Sequence, residues 1–378
     1  MVGEIKRLIN RPEDKMVTSD VRAIRLCCYL ETEVIGGMEM SAATLLANLG
    51  QQYEVTVMGV SASVVAYVAG GRTGVRTRVV PPVRHKSNIR AITSHVHAVR
   101  DLRPDLLLVC LAQLYSAQYA LLAAVMNRVP TVAVVHCFVP STHRSQNLIF
   151  RTLSRRVRAF GGVSRSVCTA TEEELGLRPG SVTLLYNGVP SASGSSGGPP
   201  RGGTPTERFA IGAVGRLVPE KGFDVLIRAL AGLPEADLVL MGDGPERAGL
   251  EGLGRELGLQ DRMTFTGWVE PPWVARQRCD VLVMPSRVEG FGLVAVEALL
   301  AGIPVVASRV GGLSEVVEDG VTGLLVPSDD PEALASALRE LEGDSVLRAE
   351  LAERGRADVR RRFSVEAMMS AYDRFLAS

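Results

Sequence analysis

Residues 191–205 read Ser-Ala-Ser-Gly-Ser-Ser-Gly-Gly-Pro-Pro-Arg-Gly-Gly-Thr-Pro and cut the sequence into two stretches of similar length. That composition has almost nothing to bury and cannot repay the entropy of ordering, so it reads as an exposed linker. On each side the chain restarts with a β-rich apolar run, at 24–30 and at 209–214, and then alternates apolar runs with helical patterns. Continuous apolar strands separated by helices call for parallel sheets covered on both faces. The expected fold class is α/β, with two doubly wound Rossmann-like domains. At 378 residues the chain also exceeds the usual size of one hydrophobic core. The expected boundaries are 1–190 for the first domain, 191–205 for the linker and 206–362 for the second domain.

In the first half, strands are expected at 24–30, 54–60, 76–80, 105–112, 131–136, 160–164 and 182–187, with helices such as 38–49, 88–102 and 116–126 between them. In the second half, strands are expected at 209–214, 238–241, 264–269, 280–285 and 304–308. Helices follow at 224–233, 246–257, 332–341, 346–361 and 365–376. Open parallel sheets bind ligands at the carboxyl ends of their strands, which directs attention to the residues there. Gly36-Gly37, after the first strand, lets backbone approach a phosphate or sugar, or else serves tight packing. His136 closes its strand and is either structural or ligand-facing. In the second half, Arg216 and Lys221 stand five residues apart between Gly215 and Gly222. A rigid guanidinium fork and a mobile ammonium so placed can hold two phosphate groups, or they form a solvated cationic loop.

The most informative stretch is 285–308, Pro-Ser-Arg-Val-Glu-Gly-Phe-Gly-Leu-Val-Ala-Val-Glu-Ala-Leu-Leu-Ala-Gly-Ile-Pro-Val-Val-Ala-Ser. It reads as strand end, loop, helix, strand. Gly290 and Gly292 strip side chains from the turn that opens the helix, so free N–H groups and the positive dipole end at Phe291 and Leu293 can seat a phosphate. Glu289 lies in the loop and Glu297 about one and a half turns into the helix. Two such carboxylates reach opposite ends of one ligand if that face lines a cleft; otherwise they are solvated.

Several function classes are excluded by composition. With 46% hydrophobic and 22% charged residues the chain is an ordinary globular one. Its apolar runs, such as 106–112, are too short to span a bilayer. The first twenty residues lack an apolar core region, so no secretory signal is expected there. The six cysteines are scattered without metal spacing, which favours free thiols in a reduced, cytoplasmic protein. Residues 1–205 carry 23 Lys and Arg against 13 Asp and Glu, whereas 206–378 carry 19 against 28. That opposition suits steering of anionic ligands, or is neutral surface drift. Neither half interleaves basic with aromatic residues as a nucleic-acid binder does. The segment 143–160 is basic and amphipathic. Its apolar residues suit core packing, so a helix laid on the sheet with a solvated Arg face is expected over one lying on a membrane.

The stretch 285–308 continues into Val310-Gly311-Gly312-Leu313-Ser314-Glu315 and then Glu318-Asp319-Gly320-Val321-Thr322-Gly323-Leu324-Leu325-Val326-Pro327. In this order the residues resemble the nucleotide-sugar-binding signature of the retaining family-4 glycosyltransferases, including its pair of glutamates separated by seven residues. The resemblance covers nearly all of 24–376 and is strongest between 211 and 327. It implies the GT-B architecture, two domains facing across a cleft, with the helix in 363–378 returning to the first domain. It implies transfer of a hexosyl group from a nucleoside diphosphate sugar, a UDP-hexose or UDP-N-acetylhexosamine, to a hydroxyl acceptor. The acceptor would be a small molecule or a lipid carrier, in natural-product or envelope glycoside biosynthesis. Arg216 and Lys221 then hold the diphosphate, with backbone from Gly290, Phe291, Gly292, Leu293 and Gly37. Trp268 and Val269 offer backbone to the base, Glu297 takes the ribose, Glu289 the sugar hydroxyls, and His136 lies near the anomeric carbon. The donor is a substrate, and the resemblance implies neither a cofactor nor a metal. A nucleotide-sugar epimerase, or a non-catalytic nucleotide-sugar-binding partner, would keep the same phosphate site.

Overall fold

The protein is described by a computed structural model over residues 22–140, 144–190, 208–268 and 279–377. The expected linker 191–205 and Val269 lie outside these residues. The chain divides into two compact units, 1–188 with 365–378, and 189–364.

The first unit alternates β1 (Ile24–Leu30), α1 (Gly37–Asn48), β2 (Tyr53–Gly59), α2 (Ala62–Ala69), β3 (Arg76–Val79), α3 (Ile89–Leu102), β4 (Leu106–Leu111), α4 (Gln118–Asn127), β5 (Thr131–Val135), α5 (Arg144–Ser154), β6 (Ala159–Gly162), α6 (Arg165–Leu175) and β7 (Thr183–Leu184). These strands form one parallel sheet in the order β3-β2-β1-β4-β5-β6-β7. The central strands β1 and β4 are buried along nearly their whole length, as apolar runs covered on both faces must be. Helix ends follow local chemistry. Asn88 Oδ1 accepts the Ala91 N–H at 3.1 Å to start α3, and Ser164 Oγ accepts the Val167 N–H at 3.2 Å to start α6. Gly176, left-handed at φ 66°, ends α6.

The second unit contains β8 (Phe209–Val214), a 3-10 turn (Pro219–Lys221), α7 (Phe223–Leu230), β9 (Ala236–Met241), α8 (Arg247–Glu256), β10 (Met263–Gly267), β11 (Val281–Met284), α9 (Leu293–Ala301), β12 (Val305–Ser308), α10 (Leu313–Val316), β13 (Leu324–Val326), α11 (Pro331–Gly343) and α12 (Ser345–Arg362). Its strands are again all parallel, in the order β10-β9-β8-β11-β12-β13. The last helix, α13 (Val365–Ala377), belongs to the first unit and packs on α1. Its Tyr372 and Phe375 are buried edge to face, and Met368 Sδ accepts the Gly188 N–H at 3.1 Å.

Two local expectations change. The segment 143–160 is not one helix, for α5 stops at Ser154 and the chain turns so that the Arg158 N–H can donate to Thr131 O at 2.8 Å and start β6. Within α5, Phe150 is fully buried against Tyr115, but Leu148 and Ile149 face solvent, so not all of its apolar residues serve the core. The strand expected at 182–187 shrinks to Thr183–Leu184, at the sheet edge. There the Leu185 N–H makes a last bond to Gly162 O at 2.8 Å, and buried Asn187 turns its Oδ1 to the Ser41 hydroxyl at 2.6 Å.

At the amino ends of β1 and β4, Asp105 closes a ring with Arg25. Its carboxylate accepts from the Arg25 backbone N–H at 2.9 Å, from Nε at 3.1 Å and from Nη2 at 2.9 Å, while its own N–H donates to Arg25 O at 2.8 Å. These contacts hold the Asp105 carboxyl below the usual carboxylate range, against the opposing effect of burial. A depressed folded-state pKa stabilises above the unfolded value of about 3.9 and is lost as pH falls through the folded value. Asp105→Asn should therefore cost about 1–2 kcal/mol at neutral pH, discounted for partial exposure. Denaturant unfolding of both proteins should show this gap closing below pH ~4.

Candidate functional site

In the second unit the chain runs from β8 outward through β9 to β10, then crosses to β11 and runs outward through β12 to β13. Connections leave β8 and β11 in opposite directions at their carboxyl ends, which opens a crevice between the two loops that follow them. The loop after β8 carries Arg216 and Lys221, and the loop after β11 carries Glu289. Lys221 sits at the end of the 3-10 turn and Gly222 follows in the left-handed region at φ 64°. A Cβ at Gly222 would run into the Pro285 carbonyl oxygen. On the far side of the same loop, Cβ atoms at Gly311 and Gly312 would meet the carbonyl oxygens of Glu289 and Gly290, and the Gly312 N–H donates to Glu289 O at 3.1 Å. Backbone is thus packed on backbone on both sides of residues 285–290.

Close packing brings two of the expected site residues into contact. Lys221 Nζ donates to Glu289 Oε2 at 2.6 Å, with side chains 27% and 13% exposed. Arg216 is exposed, and its guanidinium makes no ion pair with a described residue. Immediately beyond Glu289, Gly290, Phe291 and Gly292 are buried and Gly292 opens α9 at φ 101°, with no side chain seen capping the helix among the described residues. The first-turn N–H groups at Leu293 are therefore left to a ligand or solvent. Glu297 is half-buried on α9. Trp268, just past β10, is 58% exposed.

Sequence reading passed over the residue that ties these loops together. Arg287 Nη1 and Nη2 donate to Asp224 Oδ1 and Oδ2 at 2.9 and 2.8 Å, a bidentate pair, and Nε donates to Asp329 Oδ1 at 2.6 Å. Nη1 also donates to Pro219 O at 2.6 Å, and the backbone N–H groups of Arg287 and Val288 donate to Glu220 O at 2.8 and 3.3 Å. The guanidinium pKa is raised by Asp224, and the Asp224 carboxyl, pushed up by burial, is pulled below its usual range by Arg287. Arg287 stands inside the 285–308 signature and Asp224 directly after the Lys-Gly-Phe turn, so both were visible in sequence; their pairing was not.

In the first unit the switch point lies between β1 and β4. Gly37 is the exposed first residue of α1, but the N–H of Gly36 is already taken by Glu39 Oε2 at 2.8 Å. Glu39, 3% exposed, also accepts from the Thr32 hydroxyl, so this helix start carries its own internal anion. His136 follows β5, and its N–H donates to Leu111 O at 2.9 Å. Its Nε2 is sealed from solvent without a partner at hydrogen-bonding geometry. It lies close enough to the buried Cys110 thiol to oppose the upward push from the Cys28 Sγ contact at 3.9 Å and from burial. Among the described residues no three His, Cys, Asp or Glu side chains group as metal ligands, and no helix is long and apolar enough to cross a membrane.

Residues 35–192 match the model described as Glycosyltransferase Family 4, and residues 199–358 the model described as Glycosyl transferases group 1. The lipopolysaccharide core biosynthesis glycosyltransferase LpsE of Rhizobium meliloti (strain 1021) is 40% identical over 175 residues, 46% of this chain and 52% of that protein. A D-inositol 3-phosphate glycosyltransferase of Mycolicibacterium gilvum (strain PYR-GCK) is 38% identical over 218 residues, 53% of this chain and 48% of that one. The chain spans about half the length of the curated relatives it matches. Among solved structures, Anabaena Alr3699/HepE in complex with UDP-glucose aligns at a TM-score of 0.80 with 23% identity, over 94% of this chain and 99% of that one. The sucrose-phosphate synthase of Thermosynechococcus elongatus aligns at 0.78 with 22% identity, over 93% and 98%. At such identities these neighbours establish the fold, which is GT-B, and the two models divide between them the two units seen here. By motif, family model and fold alike, the chain belongs to the family-4 GT-B glycosyltransferases.

Proposed function

We propose that the chain is a retaining glycosyltransferase that moves a hexosyl group from a UDP-hexose or UDP-N-acetylhexosamine to the hydroxyl of a small-molecule or lipid-linked acceptor. The observation that carries this reading is the Lys221–Glu289 contact at the β8/β11 switch point, beside the uncapped start of α9. A cation, a carboxylate and free backbone donors within one crevice suit a molecule that is anionic at one end and hydroxylated at the other. Support for the nucleotide comes from HepE, whose structure holds UDP-glucose, and support for a glycoside product from the relatives' assigned roles in lipopolysaccharide core and inositol phosphate chemistry.

In this reading Lys221 exchanges Glu289 for the donor's diphosphate, and Glu289 turns to the sugar hydroxyls. Arg216 and Lys221 offset the charge that grows on the departing diphosphate, joined by the N–H groups at Phe291 to Leu293. Glu297 holds the ribose, backbone near Trp268 and Val269 the base, Gly37 approaches the phosphate or acceptor, and His136 lies by the anomeric carbon. With no covalent nucleophile assigned, the acceptor enters on the face the diphosphate leaves, and the leaving phosphate takes the acceptor proton. The cationic side chains do the work of a metal.

Three measurements test this. Activity should survive EDTA and the product should keep the donor's anomeric configuration; an inverted product, or turnover restored only by added divalent ion, overturns the mechanism. Arg216→Ala and Lys221→Ala should each lower kcat about a hundredfold, about 3 kcal/mol, because they remove contacts that strengthen in the transition state. Unchanged kcat in both removes the clamp. Glu297→Gln should mainly raise the donor KM, since the ribose is held alike in ground and transition states, whereas Glu289→Gln should mainly lower kcat. Steady-state kinetics at saturating acceptor separate the two, and a reversed pattern exchanges their roles.

A further inference from the structure

Arg287 reaches the loop after β8, the first turn of α7 and the segment after β13. It lies two residues before Glu289, and its partners Pro219 and Glu220 stand within two residues of Lys221. Asp224 begins α7 in the first turn after that loop, and Asp329 follows β13 from the other side. An isolated surface ion pair would add little, since long side chains lose entropy on pairing and water screens the charges. Arg287 differs in geometry. Its fork is engaged bidentately, its Nε is used as well, and its side chain is 30% exposed. Asp329 accepts this bond from the left-handed region at φ 58°, a conformation that a residue with a Cβ rarely takes. The guanidinium is committed to two carboxylates, Asp224 and Asp329, rather than left open to a ligand.

We propose that Arg287 is a positioning residue that sets the separation of Lys221 and Glu289 by clamping the loop after β8 to the loop after β11, with Asp224 and Asp329 fixing the guanidinium plane. The proposal deepens the donor reading above and rests on it. Lysine at 287 would keep the charge and lose the fork, because a single ammonium cannot bond Asp224 bidentately while reaching Asp329 and Pro219 O.

The test uses the full chain with UDP as probe. Calorimetric titration gives stoichiometry and affinity separately. Arg287→Lys should bind UDP at unchanged stoichiometry with Kd raised about tenfold, and should lower kcat with UDP-glucose. Unchanged Kd overturns the proposal, and so does a drop in stoichiometry at unchanged Kd, which marks a merely structural role. Should Arg287→Lys fail to fold, Asp329→Asn removes the carboxylate charge that strengthens the Nε bond while keeping an oxygen there, and should raise Kd about threefold; unchanged Kd there overturns the proposal equally. If the wild-type chain binds no UDP, the donor reading falls, and the clamp is judged by unfolding alone. The loss of stability caused by Lys221→Ala should then shrink in the Arg287→Lys background, and additive losses overturn it.

Discussion

Contact of main chain with main chain at the carboxyl edge of the second sheet is the constraint on which the candidate site depends. Residues 285–290 run between Gly222 on one side and Gly311 and Gly312 on the other, with carbonyl oxygens where a side chain would otherwise begin. Such spacing is open only to glycine, and it draws the ends of β8, β11 and β12 into one layer. Lys221 and Glu289, sixty-eight residues apart in sequence, meet at 2.6 Å on loops that glycine allows to stand this close. The Arg287 bonds to Asp224, Pro219 and Asp329 brace the same layer from its outer side.

Electrostatics in this layer is arranged in matched sets. A half-buried ammonium or carboxylate without a partner would pay a desolvation cost, and the Lys221–Glu289 contact gives each of them a partner. Arg216, by contrast, stays exposed and unpaired among the described residues. One cation is thus paired with a carboxylate and the other is open to solvent.

Two helix starts that look alike in sequence turn out to differ. Gly36-Gly37 and Gly290-Phe291-Gly292 each open a helix at the carboxyl end of a strand, and each suggests an anion seat. At α1 the buried Glu39 carboxylate already satisfies the Gly36 N–H and bonds Thr32, whereas among the described residues no side chain is seen to cap α9, whose N-cap is Gly292. The difference lies in one acidic residue three positions into the helix, a capping-box pattern that competes with any external anion. That the Glu39 carboxylate folds back on the helix start is decided by the structure.

The alternation of apolar runs with helices was sufficient by itself to determine two parallel α/β sheets and most strand positions, with β1 and β8 spanning 24–30 and 209–214 as expected. It could do so because burial on both faces leaves a local signature in every strand. Arg216, Lys221, Glu289 and Glu297 could be named as candidates from the sequence, because glycine spacing and charge mark them within short stretches. Where the local signal was mixed, reading failed: in 143–160 apolar residues serve both the core and the surface, and at 182–187 an edge strand with one neighbour gives way to a side-chain bond between Asn187 and Ser41. Only the tertiary structure decided that Lys221 pairs with Glu289 and that Arg287 joins Asp224 to Asp329. Those partners come from loops separated by whole strands and helices, and their distance is set by how the sheet stacks those loops, a quantity that no local pattern of residues encodes.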